Sequence, residues 1–216
     1  MKILALDSSG LVASVAVVEN DTLLAEYTVN YKKTHSQTLL PMLDEISNMT
    51  ELDLSTIDAI AVAGGPGSFT GLRIGSATAK GLGLALEKPL ISIPTTAAIA
   101  YNIWDTNKFV CPIMDARRNQ VYTGVYCYTD HRLDTVWEQD TMSIEALAEG
   151  LNCLDHEVIF LGDGVAVYRE KLEALLTIPF SFAPAHVNRQ RAAARSEEHT
   201  SELQSPIQLV CRLLLE

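Results

Sequence analysis

The sequence contains few cysteines and no long hydrophobic run. Its four cysteines are widely spaced: Cys111, Cys127, Cys153 and Cys211. No two of them form the close pair that a zinc site or a dithiol redox motif needs, which predicts a reducing, cytoplasmic location. The N-terminal apolar run is interrupted at Asp7, so it is too short for a signal-peptide core or a membrane span. We therefore expect neither export nor membrane insertion.

Basic residues are also scarce. The chain has 16 Lys and Arg residues against 27 Asp and Glu residues, which gives a net charge of -11 over 216 residues. Such a charge repels phosphate backbones at long range. Any contact with nucleic acid is therefore expected to require a basic partner.

The order of predicted elements indicates an α/β fold. Runs rich in Val, Leu, Ile and Ala predict strands at residues 2–8, 13–19, 23–31, 58–63 and 90–93. Leucine spacing predicts a helix over 36–48, with Ser36 as its N-cap and a bend at Pro41. A second helix runs to residue 86, and a third spans 96–104. Three strands without crossover helices exclude a plain Rossmann domain and favour a mixed sheet flanked by helices.

The same order begins again after residue 108. Strands are predicted at 108–114, 121–128, 134–137 and 158–161, and helices at 141–150 and 167–176. We therefore expect two related halves, 1–105 and 106–194, the second of them truncated. Residues 195–216 resemble the translation of a sequencing-library adapter, which predicts a non-native tail. The alternative for this tail is an amphipathic C-terminal helix.

The glycine-rich segment GGPGSFTGLRIG, from Gly64 to Gly75, is the most specific motif. It lacks the spacing and the Lys of a Walker loop, and its serine is misplaced for a nucleophile elbow. Ser68 is predicted to cap the helix that follows. Small residues then recur every fourth position, at Gly71, Gly75, Ala79 and Gly83. This stripe predicts close packing against another helix, either of this chain or of a partner.

Three short turns are candidates for a degenerate nucleotide site. They contain Asp7, Ser8, Ser9, Asp115, Gly162, Asp163 and Gly164. An aspartate after a strand can hold a hydrated magnesium ion, and turn amides can meet phosphate. The alternatives are a hairpin turn at the first, an internal ion pair of Asp115 with Arg117 at the second, and a common Gly-Asp-Gly turn at the third. The five histidines show no metal-binding spacing, so we predict no metal site and no catalytic residue.

Four segments together resemble one known family. KILALDSS, HSQTLLPML from His35, GGPGSFTGLRIG and MDARRNQVY from Met114 are similar to the TsaB (YeaZ) family of tRNA threonylcarbamoyladenosine biosynthesis proteins. The resemblance covers roughly residues 1 to 190. It implies a duplicated actin-like (ASKHA, ribonuclease H-like) fold of the TsaD-like ATPase superfamily.

The resemblance also implies a role. It implies an accessory subunit that binds and supports the catalytic TsaD subunit, forming threonylcarbamoyladenosine in tRNAs that read codons beginning with adenine. It implies the ATPase TsaE as a further partner, tRNA contact only through the complex, and ATP and metal on the partner subunits. The chain alone is expected to perform no catalysis and to be able to form a homodimer.

Two helices carry the implied TsaD-binding surface. Its expected residues are His35, Leu39, Leu40, Leu43, Phe69, Thr70, Leu72, Arg73, Gly75, Ser76 and Ala79. The alternative function is an actin-like small-molecule kinase or ATPase, which the aspartate-containing turns favour.

Overall fold

The computed structural model describes residues 1–31 and 35–194, and these form two compact units. The first unit contains Met1–Ala98 and, from the end of the chain, residues 190–194; the second is Ile99–Arg189. The boundary thus precedes the expected division between residues 105 and 106, and residues 190–194 belong to the first unit. The predicted tail, 195–216, lies outside the described residues.

A mixed five-stranded sheet forms the centre of the first unit. Its strands are β1 (Lys2–Asp7), β2 (Ala13–Glu19), β3 (Thr22–Val29), β4 (Ala59–Gly65) and β5 (Leu90–Pro94). The strand order is β3-β2-β1-β4-β5. The first three strands pair antiparallel, whereas β4 and β5 join in parallel. Short turns make the antiparallel pairs, and each parallel pair needs a crossover helix.

Helices cover both faces of this sheet. They are α1 (Leu39–Thr50), α2 (Phe69–Leu86) and α3 (Thr95–Ala100), with single-turn 3-10 helices at His35–Gln37 and Leu54–Thr56. Leu4 and Leu6 of β1 contact the α1 and α2 side, because alternate residues of a strand point to opposite faces. Ile3 and Ala5 point to the other face, which Ala98 and residues 192–193 cover.

The start of α1 differs from the prediction. The helix begins at Leu39, Thr38 occupies the N-cap position without a side-chain cap, and Ser36 lies in the preceding 3-10 turn. Pro41 is therefore in the first turn, where a backbone N–H has no intrahelical acceptor. The expected cap at Ser36 is therefore wrong, and Pro41 lies within the first turn rather than beyond it.

The second unit repeats the first. Its strands are β6 (Phe109–Arg117), β7 (Gln120–Thr129), β8 (Arg132–Ser143), β9 (Val158–Leu161) and β10 (Phe180–Phe182), and its helices are α4 (Ile144–Leu154) and α5 (Val165–Leu175). The order β10-β9-β6-β7-β8 has the same pairing senses as the first sheet. A core around Phe160 packs the sheet against α4 and α5.

This repetition confirms the predicted fold class, two mixed sheets flanked by helices. Other element bounds differ from the prediction: the helix expected at 96–104 spans Thr95–Ala100, and the strand expected at 134–137 spans Arg132–Ser143. The helix predicted from residue 141 begins at Ile144, because the Ser143 hydroxyl caps it by accepting a hydrogen bond from the Ala146 amide at 3.1 Å. Strand β10 was not predicted, since it has only three residues. Within the described helices, none has the length and hydropathy that a membrane span requires.

Candidate functional site

Helix α2 begins where the sequence predicts. The Ser68 hydroxyl accepts a hydrogen bond from the Gly71 amide at 3.3 Å, which confirms Ser68 as the N-cap. The Ser68 amide donates to the Ser9 carbonyl at 2.7 Å. The start of the helix is therefore fixed both by its own cap and by the turn after β1.

The small-residue stripe of α2 faces its own unit. Gly71, Gly75, Ala79 and Gly83 are its buried residues. A Cβ on Gly71 would lie 2.0 Å from the Ser8 carbonyl oxygen, and one on Gly75 would lie 2.5 Å from the Ser8 Oγ. Gly75 and Ala79, which the sequence predicts to bind a partner, are thus buried within this chain. The stripe lets α2 approach the turn after β1 and the sheet of its own chain.

Two leucines of α1 are likewise internal. Leu39 and Leu43 are 1% and 4% exposed and belong to the core between α1 and the sheet. These two predicted partner residues therefore lie inside this chain rather than on its surface. Leu40 is 53% exposed, because it lies on a different face of the helix from Leu39 and Leu43. Met49, near the end of the same helix, is 77% exposed and was not predicted.

The outward face of α2 combines large apolar side chains with basic ones. Phe69 and Leu84 are 68% and 84% exposed, at opposite ends of the helix. Arg73 and Lys80 are exposed between them, and the Arg73 guanidinium carbon lies 3.7 Å from the centre of the Phe69 ring. At 100° per residue, these four side chains and Ser76 fall within roughly 80° of the helix circumference. We call these five residues the α2 outer stripe.

The other predicted partner residues differ in exposure. Within α2, Thr70 is exposed, and Leu72 is half-buried, as is Ser76 of the outer stripe. His35 is half-buried, and its Nε2 lies 2.9 Å from the Gly10 carbonyl oxygen. Sequence reasoning missed Leu84 and Lys80. Their recurrence with Phe69 and Arg73 at helical spacing was the available signal.

The turn after β1 is closed by its own side chains. Asp7, Ser8 and Ser9 are each at most 1% exposed. The Asp7 carboxylate accepts hydrogen bonds from the Ser9 amide at 2.8 Å and the Ser9 hydroxyl at 2.7 Å. The Ser8 hydroxyl donates to the Gly71 carbonyl at 2.9 Å. These groups stabilise the turn and its contact with α2.

This turn does not fit a nucleotide phosphate. A Cβ on Gly10 would lie 2.4 Å from the Gln190 Nε2, so the Gln190 amide covers the turn closely. The Ser9 amide, which a phosphate nest would require, already donates to Asp7. We therefore derive no chemical step through a nucleotide at this turn.

Two predicted aspartates meet in the second unit. The Asp163 carboxylate accepts a hydrogen bond from the Asp115 amide at 3.2 Å. Burial raises the pKa of the Asp163 carboxyl, although this hydrogen bond and the charge of Arg189 oppose the rise. The Tyr168 hydroxyl donates a hydrogen bond to the Asp115 carboxylate at 3.0 Å. Burial and, to a lesser extent, this hydrogen bond raise the pKa of Tyr168 to about 12.

The glycines beside Asp163 are used internally. The Gly162 amide donates to the Asn188 Oδ1 at 2.9 Å, and the Gly164 amide donates to the Ile113 carbonyl at 3.0 Å. The expected ion pair between Asp115 and Arg117 is wrong: the Asp115 carboxylate accepts from the Arg117 backbone amide at 2.9 Å. The loop thus supports β6 and α5 through its own hydrogen bonds.

No group of three His, Cys, Asp or Glu side chains in the described chain has the geometry to hold a metal ion. Cys111, Cys127 and Cys153 are free thiols. Burial raises the pKa of the Cys111 thiol to about 12, so this thiol is inert.

Several known proteins are similar to this chain in sequence. The family model for TsaD, tRNA N6-adenosine threonylcarbamoyltransferase, matches residues 22–208. The tRNA threonylcarbamoyladenosine biosynthesis protein TsaB of Bacillus subtilis is 35% identical over 176 residues, covering 82% of this chain and 77% of that protein. TsaB of Escherichia coli is 33% identical over 170 residues, covering 76% and 72%.

A solved structure agrees with these sequence matches. YeaZ from Pseudomonas aeruginosa superimposes with a TM-score of 0.79 at 25% identity, covering 94% of this chain and 92% of that one. The duplicated sheets are therefore the actin-like fold that the sequence resemblance implied. On this fold and on identities above 30% over most of their length, the chain belongs to the TsaB family of tRNA threonylcarbamoyladenosine biosynthesis proteins.

Proposed function

We propose that this chain is the accessory subunit of the complex that forms threonylcarbamoyladenosine in tRNA, in which it binds and supports a TsaD-type catalytic subunit. Membership of the TsaB family supports the role in this biosynthesis. The observation that supports partner binding is the α2 outer stripe, whose two large apolar side chains are mostly exposed to solvent.

The exposed apolar side chains continue on the neighbouring helix. Helix α1 contacts α2, and it exposes Leu40 and Met49. Phe69 and Leu84 are separated by 15 residues of helix, which corresponds to about 22 Å. A helix pair of this length can supply one side of an interface of standard size, about 1,600 Å² in total. Exposed aromatic and aliphatic anchors are the residues from which interface hot spots are built.

The proposed complex implies further partners. A TsaE-type ATPase is proposed as a further partner. We propose that tRNA binds only to the assembled complex, since the net charge of -11 disfavours direct contact of tRNA with this chain alone. ATP and metal are proposed on the partner subunits. We place the complex in the cytoplasm, where tRNA is modified and free thiols persist.

The first experiment measures association with the TsaD-family subunit from the same genome, by calorimetry and by light scattering after gel filtration. Leu84→Asp places a charge at the end of the outer stripe and is expected to weaken binding roughly 30-fold or more, the loss typical of a hot spot. A one-to-one complex of the native chain with no loss in this variant would contradict the proposed surface.

The chain provides a matched control. Val167 lies on α5, the equivalent helix of the second unit, and is 58% exposed. Val167→Asp makes the same chemical change outside the proposed surface, so binding should be unaffected. Reconstituted tRNA modification should then follow binding: it should fail with Leu84→Asp at limiting concentrations and proceed with Val167→Asp.

A kinase or ATPase of the actin-like class is the second candidate. The charge interaction between the Asp115 and Asp163 carboxylates favours it, because acidic groups close together near a strand end suit a cation. The closed turn at Asp7 opposes it. Magnesium-dependent ATP hydrolysis by the isolated chain, lost in Asp115→Ala and retained in Asp130→Ala, would support this alternative over the accessory role.

A further inference from the structure

The charge of α2 is opposite to that of the chain. The protein has a net charge of -11, yet the helix from Phe69 to Leu86 contains no Asp or Glu. Its two charged residues, Arg73 and Lys80, are both basic, both exposed and both on the outer stripe. A basic, apolar helix face on an acidic protein is complementary to a partner that is acidic at this contact.

Arg73 is held in place without an anionic partner. Its guanidinium stacks on the Phe69 ring at 3.7 Å, a contact that orients the planar group. In the part of the chain that the structure describes, Arg73 forms no ion pair. The five donors of a guanidinium prefer a carboxylate that accepts two parallel hydrogen bonds. The stacking therefore presents a positioned donor group to the outside.

In the second unit, the arginine at the equivalent position of α5 has both an aromatic and an acidic neighbour, with the aromatic ring supplied by β10. Arg169 on α5 stacks on the Phe182 ring at 3.9 Å and also lies 3.9 Å from the Glu173 carboxylate, one helical turn further on. Position 77, one turn after Arg73, is an alanine. The acidic neighbour present in α5 is thus absent from α2.

We propose that Arg73, oriented by Phe69, binds a carboxylate on a helix of the TsaD-type partner, and that this charge pair selects the partner. This inference rests on the proposed function and adds the chemistry of recognition to it. The partner helix is apolar opposite Leu84 and carries Asp or Glu opposite Arg73. The pair lies between the apolar ends of the stripe, where it loses water on docking.

A second copy of this chain is the competing occupant. Stripe-to-stripe contact would bring Arg73 and Lys80 of one copy against the same basic residues of the other, which is repulsive. A copy could offer the exposed Asp44 and Glu45 of α1 instead. Self-association is therefore measured in parallel with association to the TsaD-family subunit.

The test compares Arg73→Met with Arg169→Met, which removes the same group from the equivalent position of α5. Both are made in the full chain, checked for an unchanged melting temperature, and titrated with the TsaD-family subunit at low and high salt. Arg73→Met is expected to weaken binding roughly 30-fold at low salt and to flatten its salt dependence, whereas Arg169→Met should do neither. Arg73→Lys should recover part of the affinity, because it restores the charge without the planar fork.

Each other outcome decides a separate point. Native-like binding by Arg73→Met would overturn the charge pair and leave the accessory role intact. Weaker binding with an unchanged salt dependence would show that only the apolar stacking matters, which also overturns it. A change confined to self-association would identify a second copy as the occupant. No association of the native chain would overturn the accessory role itself.

Discussion

Exchanging Gly71 for alanine is expected to destabilise the protein, although alanine is the better helix former. An ideal Cβ at this position lies 2.0 Å from the Ser8 carbonyl oxygen and 3.3 Å from the Ser68 Cβ. Cβ atoms in folded proteins essentially never come within 3.0 Å of another heavy atom, so α2 would have to move by about 1 Å. The obstacle is backbone, which no side-chain rotation removes.

The expected magnitude follows from three contributions. Overpacking of this kind costs about 1–3 kcal/mol. Moving α2 also weakens the hydrogen bond from the Ser8 hydroxyl to the Gly71 carbonyl, 2.9 Å long, which contributes about 0.5–1.5 kcal/mol. The gain in helix propensity is at most about 1 kcal/mol. The free energy of unfolding should therefore fall by about 0.5–3.5 kcal/mol.

Gly81 of the same helix is the matched control. It is exposed, and a Cβ there would meet no heavy atom within 4 Å. Gly81→Ala should raise the free energy of unfolding by about 0.5–1 kcal/mol, the ordinary propensity gain. The same substitution in one helix is thus expected to act with opposite signs at two positions.

The assay must follow the first unit. Both tryptophans, Trp104 and Trp137, lie in the second unit, so their fluorescence reports on that unit. Circular dichroism and hydrogen exchange of the α2 amides report on the first. For a chain of this size, 1 kcal/mol corresponds to about 2–4 °C in melting temperature. If Gly71→Ala is as stable as Gly81→Ala, the close approach of α2 to Ser8 is refuted.

Three further predictions use thermal unfolding as the readout. The pKa of the Asp163 carboxyl is raised in the folded state, so this group stabilises the fold fully below its pKa in the unfolded chain, and that stabilisation is lost as pH rises through its pKa in the folded chain. Asp163→Asn should therefore raise the melting temperature at neutral pH and flatten the pH dependence of the melting temperature above about pH 4. Glu26→Ala removes the carboxylate that accepts from Arg191 at 2.9 Å, and should cost about 1–3 kcal/mol; an unchanged melting temperature would contradict this anchoring of residues 190–194. Leu43→Ala should cost about 2–5 kcal/mol, whereas the exposed Leu40→Ala should be close to neutral, and equal effects would contradict the assigned faces of α1.

Local signals predicted the regular elements well. Strands β2 and β9 have the predicted bounds, and α2 runs from its predicted cap to the predicted end at Leu86. These segments carry strong, uninterrupted patterns that need no tertiary information. The bounds of α1 were less accurate: the helix begins at Leu39, and Ser36, the predicted cap, lies in the preceding 3-10 turn.

The candidate site was only partly predictable. The sequence identified α1 and α2, but it could not determine which of their faces is external. Gln190 lies against Gly10, and no local sequence pattern predicts this contact between residues far apart in the chain. In the second unit, the approach of Asp163 to Asp115 follows from the parallel pairing of β6 with β9. Such pairs depend on the strand order, which cannot be derived directly from local sequence patterns.

The two faces of α2 serve different purposes: one packs closely inside the chain, and the other is the proposed partner surface. A stripe of small residues satisfies close packing against any backbone, so its spacing alone is equally suited to a sheet of the same chain and to a partner helix. The distances from Gly71 and Gly75 to Ser8 assign the stripe to the interior, where close packing compensates the helix cost of glycine. The proposed partner surface is free of that constraint. Phe69, Arg73 and Leu84 are exposed, so substitutions there can alter the proposed partner binding without changing how the first unit folds.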